Sequence, residues 1–272
     1  MTRDRRFWRA NGRVAHVDCA DAAGLPAVSP TPGRILEPFT DLCRSPGKGR
    51  DKQLLFGALF DVLEVHDGVA FGYDPADGYV GYVSEGALGA PQETTHRVRA
   101  RGAHVYSAPD FKSPEQALLP MDARVRVESA QGAFLGLAEG GWIAEPHLSP
   151  EDTPVSDWVG VAESLLGTPY LWGGNTSFGI DCSGLVVLAM RAAGRIVPRD
   201  SDLQEAAFPA APSSPQRGDL VFWRGHVGIM RDAETLLHAN AHHMTVASEP
   251  LATAIDRIAQ KEFGEVTKIA RP

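Results

Sequence analysis

The sequence predicts an α+β fold: two small all-β units, then a unit in which helices come first and strands follow. Three observations carry this. Residues 34 to 149 consist of short β-branched and aromatic runs cut by Gly, Pro, Asp and Ser, the pattern of small all-β units. Landmarks within that stretch recur at one offset, which marks an internal repeat. Past residue 150 the apolar spacing becomes helical and then returns to strands, the order expected of an α+β domain.

Residues 1 to 33 are polar, end in "AVSPTPGR", and read as an arm and linker. In the repeat, Pro46 recurs as Pro109, Val62 as Val125, Phe71 as Phe134 and Gly78-Tyr79 as Gly141-Trp142, each pair 63 residues apart with no gap. Units of about 60 residues with roughly five strands suit SH3-like barrels, placed at residues 34 to 91 and 92 to 149. "SPEDTP" then links to a third unit, residues 150 to 272. Its first helix is "SDWVGVAESLLGTPY", apolar at 158, 161, 162, 165 and 166, with Ser156 as cap and Gly167 as stop. "DCSGLVVLAMRAAG" is a second helix, capped by Asp181 and ended at Gly194. It is apolar nearly all round and is therefore expected in the core. "GDLVFWRGHVGIMRDAETLLHANAHHMTVASEP" reads as a run of antiparallel strands.

Composition narrows the function. A net charge of −8 over 272 residues argues against nucleic acid and anionic membranes as partners. No apolar run approaches the roughly 18 residues of a membrane span. The N-terminus is basic but has no apolar stretch of a signal peptide, so the chain is expected to be either cytoplasmic or a mature form with its signal removed, and Met1 favours the cytoplasm. Cys19, Cys43 and Cys182 are an odd set without metal-type spacing, no disulfide framework, and a reducing compartment would keep them as thiols.

Cys182 sits at the first turn of the buried helix, where free N–H groups and the helix dipole are expected to lower a thiol pKa. Two histidines are candidates for its base. If "HVGIM" and "LLHA" pair through "RDAET" about Asp232, His226 faces His238 directly, and one ring orients the other. The flanking Gly225 and Gly228 would let helix and substrate approach, which favours His226 as the base. "HANAHH" adds His242 and His243 but no carboxylate or cysteine at metal-type spacing, so neither metal nor cofactor is expected.

In order and spacing, "GTPYLWGG", "DCSGLV", "GDLVFW", "HVGIM" and "LLHA" resemble the NlpC-type cell-wall peptidases, papain-like enzymes of bacteria. The resemblance covers about residues 155 to 250. With two barrels ahead, the chain is similar to the γ-D-glutamyl-L-diamino acid endopeptidases of that family. The resemblance implies that Cys182 is the nucleophile, His226 the base, His238 the orienting third residue and Tyr170 an oxyanion donor alongside the Cys182 N–H. It also implies a pocket for a free substrate N-terminus, formed by Asp181, Ser183, Asp200 and Ser201 and closed by Tyr79. Ala58 departs from the pattern, since relatives often carry a glutamate there. The implied substrate is a muropeptide with an unblocked L-Ala, cut before diaminopimelate or lysine during wall recycling. Two rivals stand beside this: a non-catalytic muropeptide sensor, and an acyltransferase or amidase on the same scaffold.

Overall fold

The computed structural model describes residues 3 to 212 and 214 to 272. It divides into two compact units, Met1–Glu151 and Asp152–Pro272. The first holds both barrels. A seven-stranded sheet runs, neighbour to neighbour, through Lys48–Leu55, Phe39–Ser45, Val80–Ser84, Val69–Tyr73, Leu59–His66, Thr31–Ile35 and Leu88–Gly89. It closes over Ile35, Leu42, Phe60 and Tyr79. The second barrel is built from a five-stranded and a three-stranded sheet between His96–Val98 and Leu148–Pro150, around Val98, Ala103, Val125 and Ile143.

The N-terminal segment is not a free arm. The Val80 N–H bonds the Arg6 carbonyl at 2.7 Å, and Arg13 pairs with Glu64 at 2.8 Å. Residues 31 to 33, read as linker, belong to a strand: Thr31 pairs with Val62 and Gly33 with Phe60. The first two residues of the expected arm lie outside the described residues.

The repeat is real in topology, but its offset is not constant. In the first barrel Cys43 pairs with Tyr82, and in the second Tyr106 pairs with Trp142. Bulges fall at Val62/Glu64 and at Val127/Ser129. The closing turns are Glu85–Ala87 and Glu145–His147. The offset thus runs 63, then 65, then 60. Val62 corresponds to Val127 rather than Val125, and Trp142 to Tyr82 rather than Tyr79. The two copies differ in hairpin length, and a gapless comparison averages over that difference.

In the second unit the helices are α1 Trp158–Ser164, α2 Cys182–Ala192, α3 Ser201–Ala207 and α4 Leu251–Lys261. The strands are β1 Leu220–Trp223, β2 His226–Met230, β3 Thr235–Asn240, β4 Thr245–Pro250 and β5 Lys268–Ala270. They form one antiparallel sheet in the order β4-β3-β2-β1-β5. The cap of α1 is Asp157, which accepts from the Gly160 N–H at 3.1 Å; Ser156 does not serve. Asp and Ser cap about equally well, so position decides: Asp157 stands immediately before the first turn. Cys182 to Met190 of α2 are all buried, as the all-round apolar pattern requires. Helix α4 and strand β5 lie beyond the run of strands expected from the sequence. The helix packs Ala254 and Ile258 on Val221, Trp223, Met230 and Leu236, so its amphipathic spacing seals one face of the sheet.

Candidate active site

The glycine turn before Cys182 is wound around a buried ion pair. Asp181 Oδ1 accepts from the Gly184 N–H at 2.7 Å and caps α2. Its Oδ2 accepts from the Gly173 N–H at 2.9 Å. Arg199 then donates to both oxygens, at 2.9 and 2.8 Å, to Ser183 Oγ at 2.8 Å and to the Gly174 carbonyl at 3.1 Å. Arg199 is 2 % exposed and Asp181 8 %. Burial works against the Arg199 charge, and Asp181 more than offsets it. A single charge here would be costly, whereas a bidentate pair with every lone pair used is tolerated.

The histidines meet, but not in the expected register. Ile229 pairs with Leu237 and Met230 with Leu236, which centres the hairpin on Ala233 rather than Asp232. The Asp232 side chain accepts from the Glu234 and Thr235 N–H groups at 2.9 and 2.8 Å and so closes the turn as an Asx motif. A shift of two residues keeps both rings on one face, and they meet diagonally, His226 Nε2 to His238 Nδ1 at 2.8 Å. The glycines have other reasons than access. Gly225 takes φ +86° in the two-residue turn between Trp223 and His226, and a Cβ on Gly228 would stand 2.7 Å from Leu236.

The line continues to a residue that sequence reasoning missed. His238 Nε2 lies 2.8 Å from Glu249 Oε1, and Arg257 of α4 holds the same oxygen at 2.5 Å. The β3–β4 register sets His238 opposite Ala247, so alternation places Glu249 on the same face, two residues along. Extending the strand pairing through "HANAHHMTVASE" would have found it. The His238 bond holds the Glu249 carboxyl down at about 2; burial opposes this and the Arg257 bond adds to it. An ionised carboxylate only accepts, so His238 carries its proton on Nε2 and offers Nδ1 as acceptor. His226 then carries its proton on Nε2, and its Nδ1 is left with the lone pair. Burial, helped by His238, brings His226 down to about 3, so the ring is neutral. Phe263 stacks on it, centroids 5.2 Å apart and planes at 9°.

Cys182 lies beside this line: its sulfur takes a hydrogen bond from the backbone N–H of Val227, the neighbour of His226. Contrary to expectation, its thiol is pushed up to about 12. Burial is the main cause and the Asp181 charge adds to it, outweighing the Val227 N–H, Arg199 and the Ser183 N–H. The start of α2 does favour the thiolate, but a buried sulfur next to a carboxylate loses more than that gains.

Tyr170 is held by the Met244 carbonyl on its N–H at 3.0 Å and by a bridge to Ile180. Burial, then Cys182 and Asp181, push its phenol well above the ordinary value, so it remains a hydroxyl donor. Asp200 stands at the N-cap position of α3 without a side-chain cap bond, partly exposed, and Ser201 is buried behind it. Ser183 donates to Asp181 at 3.3 Å and accepts from Arg199. In the first unit Tyr79 is 2 % exposed in the barrel core, edge-on to Phe7 at 6.2 Å, with Lys52 Nζ 5.4 Å from its ring.

Residues 167–262 match the NlpC/P60 family, and residues 42–88 match the bacterial dipeptidyl-peptidase Sh3 domain. A γ-D-glutamyl-L-lysine dipeptidyl-peptidase of Bacillus subtilis (strain 168) is 34% identical over 131 residues, 42% of this chain and 43% of that one. Dipeptidyl-peptidase 6 of Lysinibacillus sphaericus is 40% identical over 101 residues, 36% of each chain. The matched part spans less than half the length of these curated relatives. A solved NlpC/P60 family protein from Bacillus cereus ATCC 10987 has the same fold, with a TM-score of 0.76 at 20% identity over 89% of this chain and 99% of that one. The chain therefore carries an NlpC/P60 domain at residues 167–262, preceded in sequence by a bacterial SH3 domain at residues 42–88.

Proposed function

We propose that the protein is a cysteine peptidase that hydrolyses the γ-D-glutamyl bond to the diamino acid of peptidoglycan stem peptides. The observation that carries this is the proton-ordered line Glu249–His238–His226 beside Cys182. It leaves one nitrogen, His226 Nδ1, ready to take a proton. As the γ-carbonyl arrives, the thiol proton passes to Nδ1 and the sulfur bonds the carbonyl carbon. Tyr170 Oη and the Cys182 N–H donate to the oxyanion, each worth about 3–4 kcal/mol. The His226 imidazolium, balanced through His238 by Glu249, protonates the departing amine. Water, deprotonated by His226, then releases the acid from the thioester. Relatives named γ-D-glutamyl-L-lysine dipeptidyl-peptidases support this bond as the target.

The finer reading is a free N-terminal L-Ala on the substrate. Asp181 and Ser183 are bound to Arg199; Asp200 and Ser201 are the ligands proposed for the ammonium group. Cleavage in the cytoplasm on recycled fragments suits three free thiols, and cell fractionation tests that location. The central experiment is hydrolysis of L-Ala-γ-D-Glu-diaminopimelate, with and without N-acetylation. The native chain should cut only the free peptide, and Cys182→Ala neither. Equal cleavage of the blocked peptide defeats the ammonium pocket; turnover by Cys182→Ala defeats the peptidase.

A further inference from the structure

The far nitrogen of His238 sits in a second cluster. One ligand atom from each of His238, His243 and Glu249 lies within 4.8 Å of the others. The sequence hides this, because the carboxylate arrives from the next strand rather than from "HANAHH". Two details prepare the cluster for a cation. Asn240 Oδ1 accepts from the His243 backbone N–H at 2.8 Å and lies 3.0 Å from its Nδ1. That oxygen can only accept, so Nδ1 carries the proton and Nε2 keeps its lone pair, the outer contact that orients metal-binding imidazoles. Both hydrogen bonds to Glu249 fall on Oε1, and among the described residues Oε2 takes none. His243 is exposed and Glu249 partly so, which leaves the site open to solvent. Arg257 is a cation beside the site, but its pairing with both Glu249 and Glu262 balances its charge.

We propose that Zn²⁺ binds His238 Nε2, His243 Nε2 and Glu249 Oε2, with water in the fourth position, and thereby switches off the histidine pair. Two imidazoles and a carboxylate are a donor set that zinc takes. A metal on His238 Nε2 sends that ring's proton to Nδ1, where it donates to His226 Nε2. The proton on His226 must then sit on Nδ1. No proton is gained or lost, but His226 has no lone pair left for the thiol proton. The switch rests on His226 being the base; the metal site does not.

Zinc chloride is titrated calorimetrically into the Cys182→Ala chain, which removes the thiol as a competing ligand. One site is expected. Adding His243→Ala should raise Kd about tenfold or more, and adding His242→Ala should leave it unchanged. Nitrogen-15 NMR of the imidazoles should show the His226 proton move from Nε2 to Nδ1 as zinc binds. In the native chain zinc should inhibit turnover reversibly with EDTA, and His243→Ala, with unchanged basal turnover, should resist by the same factor. No binding to the Cys182→Ala chain, equal affinity without His243, or an unmoved His226 proton overturns the inference. Zinc binding through His243 in a chain without turnover on any stem peptide upholds the site and defeats the peptidase reading instead.

Discussion

Two charged networks lie in the second unit, and they are built on opposite plans. The Asp181–Arg199 network is closed at the carboxylate: both oxygens accept, and the two terminal nitrogens of the guanidinium reach Asp181, Ser183 and Gly174, while Arg199 Nε is buried without a partner among the described residues. The His226–His238–Glu249 network is a line with ends. It leaves His226 Nδ1 at one end and Glu249 Oε2 at the other. A closed network resists protonation changes and holds the turn in front of Cys182. An open line has one place for a proton to arrive and a charge behind it to balance the result. Saturation of the carboxylate is what differs between the two networks.

The largest test breaks the closed network. Arg199→Met strands the Asp181 carboxylate in a buried site and should lower unfolding free energy by about 3–5 kcal/mol, read by urea denaturation. Adding Asp181→Asn should restore much of it, because no orphan charge remains. A loss below about 1 kcal/mol would place Arg199 among ordinary surface pairs.

Breaking the open line should show in rate as well as in stability. Glu249→Gln keeps the shape but removes the charge behind the imidazolium. The kcat should fall by about a hundredfold or more with little change in KM, and the urea midpoint should drop as well, because the ionised carboxylate stabilises the fold above pH 4.5. A normal kcat would remove Glu249 from the mechanism.

Acid separates the networks next. His226 sits at about 3 in the folded chain against 6.5 as a free side chain. From pH 6.5 down to about 3 the unfolded chain binds a proton that the folded one refuses, so stability falls as pH falls. Glu249, held at about 2 against 4.5, adds its own loss below pH 4.5. Urea midpoints across this range should flatten between pH 6.5 and 4.5 in His226→Gln, and an unchanged slope there would show that His226 is not the group titrating. The smallest effect is Ser183→Ala. It removes one of several bonds to Arg199 and should cost about 1 kcal/mol, without the change in kcat that Glu249→Gln brings.

Much of this was readable from short stretches. The spacing around Cys182 made a buried helix capped by Asp181 and ended by Gly194, and both features depend only on residues a few positions apart. The barrels were legible as alternating runs. The repeat was misaligned because a hairpin can gain or lose residues without disturbing the ladder, so a constant offset is no guide to register. The histidine pair survived a register error of two because alternation has period two.

What the sequence by itself determined is local: where helices and strands lie, which residue heads the buried helix, and which imidazoles share a face. Only the tertiary structure decided that Arg199 would neutralise Asp181, that Glu249 would order the protons of both rings, and that burial would push the thiol up. Those outcomes depend on distance across the fold and on exclusion of water. Neither is a property of neighbouring residues, and the strength of an electrostatic interaction depends on both.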